Sequence, residues 1–461
     1  MHLSHQQAMT NETKKYAEPN PHESLRKDND HFVSKLNGKW PKKNTAFLIN
    51  HGIGNQKPIE TLDVFARGII KALQTYNGIK FEKLLVEHHL QPKKNGDETY
   101  YWFDNFIRIR NLDSPDTYID IYEYYWANQT ENKTDYRAIL AWLSDVVKGA
   151  SAHYADNAVI ASNCDDKSIF IDKNGKLNYW KYFFILRVIG SAGIFIHLFM
   201  SAVIKYVKLI PAVGPFIALF LESIKPKALE EFSNVVGDIS IYNDPNPRSS
   251  NQDIRKAILT GCVKAIKFLV EPTIGNNKTR YDQVVIAAHS LGTQISFDAI
   301  NRITHQINIG ELDGYDNEGY RIDVQGSRIM DINNKPVNIN QILNTYITFG
   351  SPLDKVAFFF REQSEKNEYV KRQVLENFHC FKQRQWISLG KDIPVIKCNL
   401  HRVFDNITWR NYFDNKDYVS GSLDYYQGLT NVNCSFKKGV FTHSNYWSCN
   451  EFFGDILINV L

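Results

Sequence analysis

The segment Val284-Val-Ile-Ala-Ala-His-Ser290-Leu-Gly-Thr293 constrains this chain more than any other. A short β-branched and apolar run stops abruptly at His-Ser-Leu-Gly, and a helix-compatible stretch follows over 293–303. A buried strand that turns this sharply into a helix lifts a serine hydroxyl clear of the sheet. The usual form of such a turn is Gly-x-Ser-x-Gly, because small residues let the two backbones approach. Here Ala288 holds the first small position and Gly292 the second. Serine is a weak nucleophile by itself, so this geometry demands a histidine base and an oxyanion hole from elsewhere in the chain. Ser-x-Gly alone also occurs in ordinary strand-to-helix turns, and the reading depends on finding those parts.

Thr45-Ala-Phe-Leu-Ile-Asn50 reads as a buried strand and runs directly into His51-Gly-Ile-Gly-Asn-Gln56. Glycine lets a backbone approach a substrate closely and adopt positive φ. The oxyanion donors are expected to be the N–H of Leu291, just after the nucleophile, and that of Gly52 or Ile53. Taken alone, the loop is a glycine-rich turn. Neither a dinucleotide fingerprint nor a Gly-Lys-Ser/Thr ending is present, which argues against a phosphate loop.

The acid and the base should follow in the order Asp, His. Trp409-Arg-Asn-Tyr-Phe-Asp414-Asn-Lys-Asp417-Tyr-Val-Ser-Gly421 offers two aspartates after an expected strand at 400–404 or 407–412. Asp417 is favoured because Asp-x-Val after a turn is common in that loop, and Asp414 is the rival. Asp405 and Asp424 are further carboxylates nearby. The base is expected to be His443, in a loop between a strand-like stretch at 434–441 and an apolar helix at 451–460. His401 competes with it, but would lie inside or just before a strand. His289 flanks the nucleophile, its side chain is expected to point away from Ser290, and it reads as structural.

With these parts assembled, the chain resembles the α/β-hydrolase superfamily, and more narrowly a group of bacterial lipase-like and phospholipase-like serine hydrolases. The carrying residues are His51-Gly-Ile-Gly-Asn-Gln56, Ile121-Tyr-Glu-Tyr-Tyr-Trp-Ala127, Ala288-His-Ser-Leu-Gly292, Thr348-Phe-Gly-Ser-Pro-Leu353, the Trp409–Gly421 segment and His443-Ser-Asn-Tyr-Trp447. They extend from about residue 44 to the end of the chain. The resemblance implies an α/β fold with a mostly parallel sheet, a Ser290-His443-Asp417 triad, and hydrolysis of carboxylic or lipid esters without a metal or organic cofactor. Some bacterial proteins of this type are phospholipases secreted as toxins. Two other readings use the same residues: acyl transfer to an acceptor other than water, and a silent-site, membrane-attached binding protein on the same fold.

The coarse order of elements supports an α/β class. Strands are expected at 83–87, 119–124, 284–288 and 346–349, and helices at 59–76, 136–147, 253–270 and 293–303. Such alternation points to a parallel sheet covered by helices. Residues 304–342 form a polar excursion rich in Asp, Asn and Gly, and no internal repeat is evident. Residues 1–43 are polar and expected to be largely mobile, with a short helix beginning near Phe32. They lack the apolar core of a cleavable signal peptide, so a cytoplasmic or membrane-associated protein is expected, with export by a specialised system left open.

At 461 residues, one core with a large insertion, at about 130–245 and thus before the nucleophile strand, accounts for the length. The net charge of +4 is spread along the chain without a basic block, which argues against nucleic acid as a partner. The six cysteines show no CxxC pairing, so neither a zinc site nor a disulfide framework is expected, and a reducing compartment is the simpler inference. Within the insertion, residues 182–221 are unusually apolar, although the mean hydropathy of the whole chain is −0.36. A spanning helix needs about 20 apolar residues. The stretch reads as a membrane-embedded hairpin or anchor, as a lid over the active site, or as a buried core pair. The first two readings would bring Ser290 close to a lipid surface.

Overall fold

The computed structural model describes residues 20–52, 57–90, 105–130, 241–243, 250–271, 279–331, 333–353, 404–414, 417, 420–423, 426, 428–436 and 443–461. Nine strands form one mixed sheet: β1 (His22–Ser24), β2 (Thr45–Asn50), β3 (Leu84–Leu90), β4 (Asn105–Asn111), β5 (Ser114–Tyr124), β6 (Gln283–His289), β7 (Leu343–Phe349), β8 (Thr408–Phe413) and β9 (Leu429–Asn433). Their spatial order is β1-β9-β8-β7-β6-β2-β5-β4-β3. The seven strands from β1 to β5 in that order are parallel, and β4 and β3 extend the sheet antiparallel. The described helices are α1 (Asn29–Leu36), α2 (Glu60–Tyr76), α3 (Ser250–Val270), α4 (Leu291–Asn308), α5 (Ile339–Ile342) and α6 (Asn450–Val460).

The central strands are apolar on both faces, as a sheet covered on both sides requires. Alternate side chains divide them between two cores. Ala46, Leu48, Val284, Ile286 and Ala288 pack with α3 and α4. Phe47, Ile49, Val285 and Ala287 pack with α1, α2 and α6 on the other face. Strand β6, which leads into Ser290, lies between β2 and β7, inside the parallel part. Parallel strands place all their carboxyl ends on one edge, where ligands of such sheets bind.

Several expectations need correction. Residues 20–43 belong to the fold. His22–Ser24 add a parallel edge strand to β9, and Phe32 and Leu36 of α1 are buried. Asp28 caps that helix by accepting the Asp30 N–H at 3.0 Å. Short polar segments hide such a strand, because its register comes from its partner. Strand β9 ends at Asn433, and of the strand-like stretch expected at 434–441 the described residues 434–436 are not a strand, while the rest lies outside the described residues. Of the two strands expected near 400–412, the one observed is β8.

The polar excursion is more regular than the sequence reading allowed. Asp316, Asp323 and Asp331 each accept the backbone N–H groups two and four residues on, at 2.8–2.9 Å. Three residues after each stands a residue with positive φ, Gly319, Gly326 or Asn334. Three turns of one construction therefore follow each other. The expected helix at 136–147, most of the 130–245 insertion and the apolar stretch 182–221 lie outside the described residues. Among the described residues, no helix is long and apolar enough to cross a membrane.

Candidate active site

Ser290 sits between β6 and α4 with φ 52° and ψ −130°. A non-glycine residue in this region costs about 1–3 kcal/mol and persists only where its surroundings hold it. Both sides of the Ser290 backbone are held. Its N–H donates to the Phe349 carbonyl on β7 at 3.2 Å. Its carbonyl accepts from the Thr293 N–H at 3.0 Å and the Thr293 hydroxyl at 2.6 Å. The sharp turn is thus tied to the neighbouring strand and to the first turn of α4. Gly292 is required by packing, since a Cβ there would lie 2.4 Å from the His51 carbonyl oxygen.

Gly52, the second residue after β2, lies directly against Ser290. A Cβ on Gly52 would lie 2.5 Å from Ser290 Cβ and 3.2 Å from Ser290 Oγ. Glycine alone permits this approach. Leu291, which carries the other expected oxyanion donor, is fully buried as the first residue of α4. Ile53 lies outside the described residues.

Of the two aspartates, Asp417 is the one whose carboxylate meets His443. Its Oδ2 and Oδ1 lie 2.9 and 3.1 Å from His443 Nδ1. The Tyr446 hydroxyl donates to the same Oδ2 at 3.1 Å and pairs with the Ser420 hydroxyl at 3.1 Å. Burial pushes the Tyr446 hydroxyl well above its ordinary pKa, so it stays a donor. Asp414, also buried, shapes the loop: its carboxylate accepts the Phe436 N–H and its carbonyl accepts the Asp417 N–H.

A carboxylate accepts only, so His443 Nδ1 carries a proton towards Asp417. Two buried polar atoms here have no hydrogen-bond partner, and they are Ser290 Oγ and His443 Nε2. Unpaired buried polar atoms are rare in folded proteins. One is a hydroxyl that can donate and the other a ring nitrogen that can accept.

His289 does more than fill space. Its Nε2 lies 2.9 Å from the His443 carbonyl oxygen, and its ring packs 4.6 Å from the His443 ring. Burial pulls its pKa down to about 3, with the neighbouring His443 adding to the effect, so His289 is neutral and donates through Nε2. It braces the segment around His443 against β6, which fits a structural role. Gly350, at φ 61°, leaves the room for this: a Cβ there would lie 3.0 Å from both His289 Nε2 and His443 Cε1.

Glu123, at the end of β5, was not singled out in the sequence. It accepts the Ile59 N–H at 2.6 Å where α2 begins, and Ile59 itself has φ 73°. Burial raises its pKa to about 7. Tyr446 and Trp126 stand inside segments that carried the resemblance, but nothing in their spacing assigned them partners.

A cavity of about 760 Å³ opens elsewhere, against α1 and α6, with His31, Lys35, Trp40 and Leu457 among its walls. None of Ser290, Asp417 and His443 lines it. Among the described residues, no group of three or more His, Cys, Asp or Glu side chains is arranged to hold a metal ion. No family model, no curated protein and no solved structure matches this chain.

Proposed function

We propose that the chain is a serine hydrolase of the α/β-hydrolase type that cleaves carboxylic esters, lipid esters in particular, through an acyl-serine intermediate. The observation that carries this reading is the strained Ser290 at the head of α4, together with a His443 held by Asp417 through Nδ1 and bare at Nε2. Ordinary strand-to-helix turns have no use for positive φ at a serine, nor for an aspartate-bound histidine beside it.

In this mechanism Ser290 Oγ attacks the ester carbonyl while His443 Nε2 takes its proton. The C–O bond to the alcohol breaks as His443 returns that proton to the leaving oxygen. Backbone N–H groups of Leu291 and of Gly52 or Ile53 hold the oxyanion. Water, activated by the same histidine, then releases the acid. Asp417 fixes the tautomer and stabilises the imidazolium. The preference for lipids, and contact with a lipid surface, rest on the apolar stretch 182–221.

The test is labelling with a fluorophosphonate probe and hydrolysis of esters of increasing chain length, with and without micelles. Labelling that disappears in Ser290→Ala supports the reading, and enhancement by micelles supports the lipid part. A folded wild type that neither labels nor turns over any ester would overturn it.

A further inference from the structure

Trp126 is the second residue beyond β5 and is fully buried. Its indole lies flat on the imidazole of His51, with ring centroids 4.9 Å apart and planes 9° from parallel. Two hydrogen bonds lock the pair. The Trp126 backbone N–H donates to His51 Nε2 at 3.1 Å, and the indole Nε1–H donates to the His51 carbonyl at 3.1 Å. The ring bonds to its own loop as well, since His51 Nδ1 lies 2.7 Å from the Gly52 carbonyl oxygen.

The directions follow from chemistry. Nε2 accepts from an amide N–H and the Gly52 carbonyl can only accept, so the neutral ring carries its proton on Nδ1. Burial keeps it neutral by pulling its pKa down to about 4. The carbonyls of His51 and Gly52 are therefore both engaged. A trans peptide is planar, and a fixed carbonyl fixes its whole plane together with the N–H on the opposite side. Both peptide planes that meet at Gly52 are set in this way, and Gly52 is the residue pressed against Ser290.

We propose that Trp126 and the side chain of His51 are positioning residues for the oxyanion loop, holding the peptides around Gly52 in the orientation that meets a negatively charged oxygen on a carbon bonded to Ser290. Neither side chain touches the reacting atoms. The inference rests on the serine-hydrolase reading and deepens it. Preorganised donors act through their alignment, and removing one costs about 10²–10³-fold in kcat. A donor that has lost only its support should cost less.

The experiment uses the full chain and p-nitrophenyl butyrate, with fluorophosphonate labelling rates and melting curves in parallel. Trp126→Phe keeps an aromatic ring over His51 and deletes the indole N–H. His51→Asn offers an amide N–H where Nδ1–H stood, and His51→Leu offers none. The expected result is a kcat lower by about 10-fold or more in Trp126→Phe with KM little changed, because an oxyanion contact is made in the transition state. His51→Asn should retain clearly more kcat than His51→Leu at similar melting temperatures. Wild-type kcat and labelling rate in Trp126→Phe, or equal losses in the two His51 variants, would overturn the proposal. A wild type that is not labelled at Ser290 would instead remove the hydrolase reading, and this proposal with it.

Discussion

Asp417 holds His443 by one ring nitrogen only, with Oδ2 2.9 Å from Nδ1 and Nε2 left without a bond. The arrangement separates two aspartates that stand three residues apart in the chain. Asp417→Asn should lower kcat by about 10³–10⁴-fold with little change in melting temperature, because an amide admits the wrong tautomer. Asp414→Asn should act on stability first, by weakening the bond to the Phe436 N–H. Steady-state kinetics and melting curves on both variants check this; equal losses of kcat would contradict it.

Gly350 tests how tightly the base loop is packed. At φ 61° a side chain is strained, and its Cβ would crowd His289 and His443 at 3.0 Å. Gly350→Ala is expected to cost about 1–2 kcal/mol of stability and to lower kcat more than it raises KM, since His443 must shift. A variant with unchanged kcat would show that the loop has slack.

Two buried groups should make stability depend on pH with opposite signs. His289, ordinarily near 6.5, is held at about 3 in the fold. Between those values the unfolded chain binds a proton that the fold refuses, so stability falls as pH drops below 6.5. Glu123 moves from 4.5 to about 7. Between those values the fold keeps a proton that the unfolded chain releases, so stability falls as pH rises from 4.5 to about 7. The full shifts correspond to roughly 5 kcal/mol for His289 and roughly 3 kcal/mol for Glu123. Melting temperatures from pH 4 to 8 should show a shallower acid limb in His289→Gln and a shallower decline towards pH 7 in Glu123→Gln. Parallel curves for all three proteins would refute the assignment.

Phe32 tests whether the early segment belongs to the core. It is fully buried, with its ring 4.7 Å from Tyr76. Phe32→Ala should cost about 3–5 kcal/mol, visible as a lower urea midpoint; a loss below about 1 kcal/mol would mean that this segment is dispensable.

The parallel sheet and the sharp strand-to-helix turn at Ser290 were legible in the sequence because both are local. Continuous apolar runs at Thr45–Asn50 and Gln283–His289 mark strands covered on both faces, and small residues beside Ser290 mark a turn with no space for a side chain. His443 was singled out by its place shortly before the C-terminal helix Asn450–Val460. Other features depend on partners far away in the chain, and no spacing encodes them. Asp417 and Asp414 differ only in which one reaches His443 across 26 residues. Glu123 meets the start of α2 from 64 residues on, and Trp126 meets His51 from 75. The edge strand His22–Ser24 exists because β9, about 400 residues later, offers it a register. Local sterics and hydrophobic periodicity let the sequence determine the central strands, the long helices that flank them and the tight turn at Ser290. Long-range hydrogen bonds made in a desolvated interior decided which carboxylate, which supporting rings and which edge completed the site.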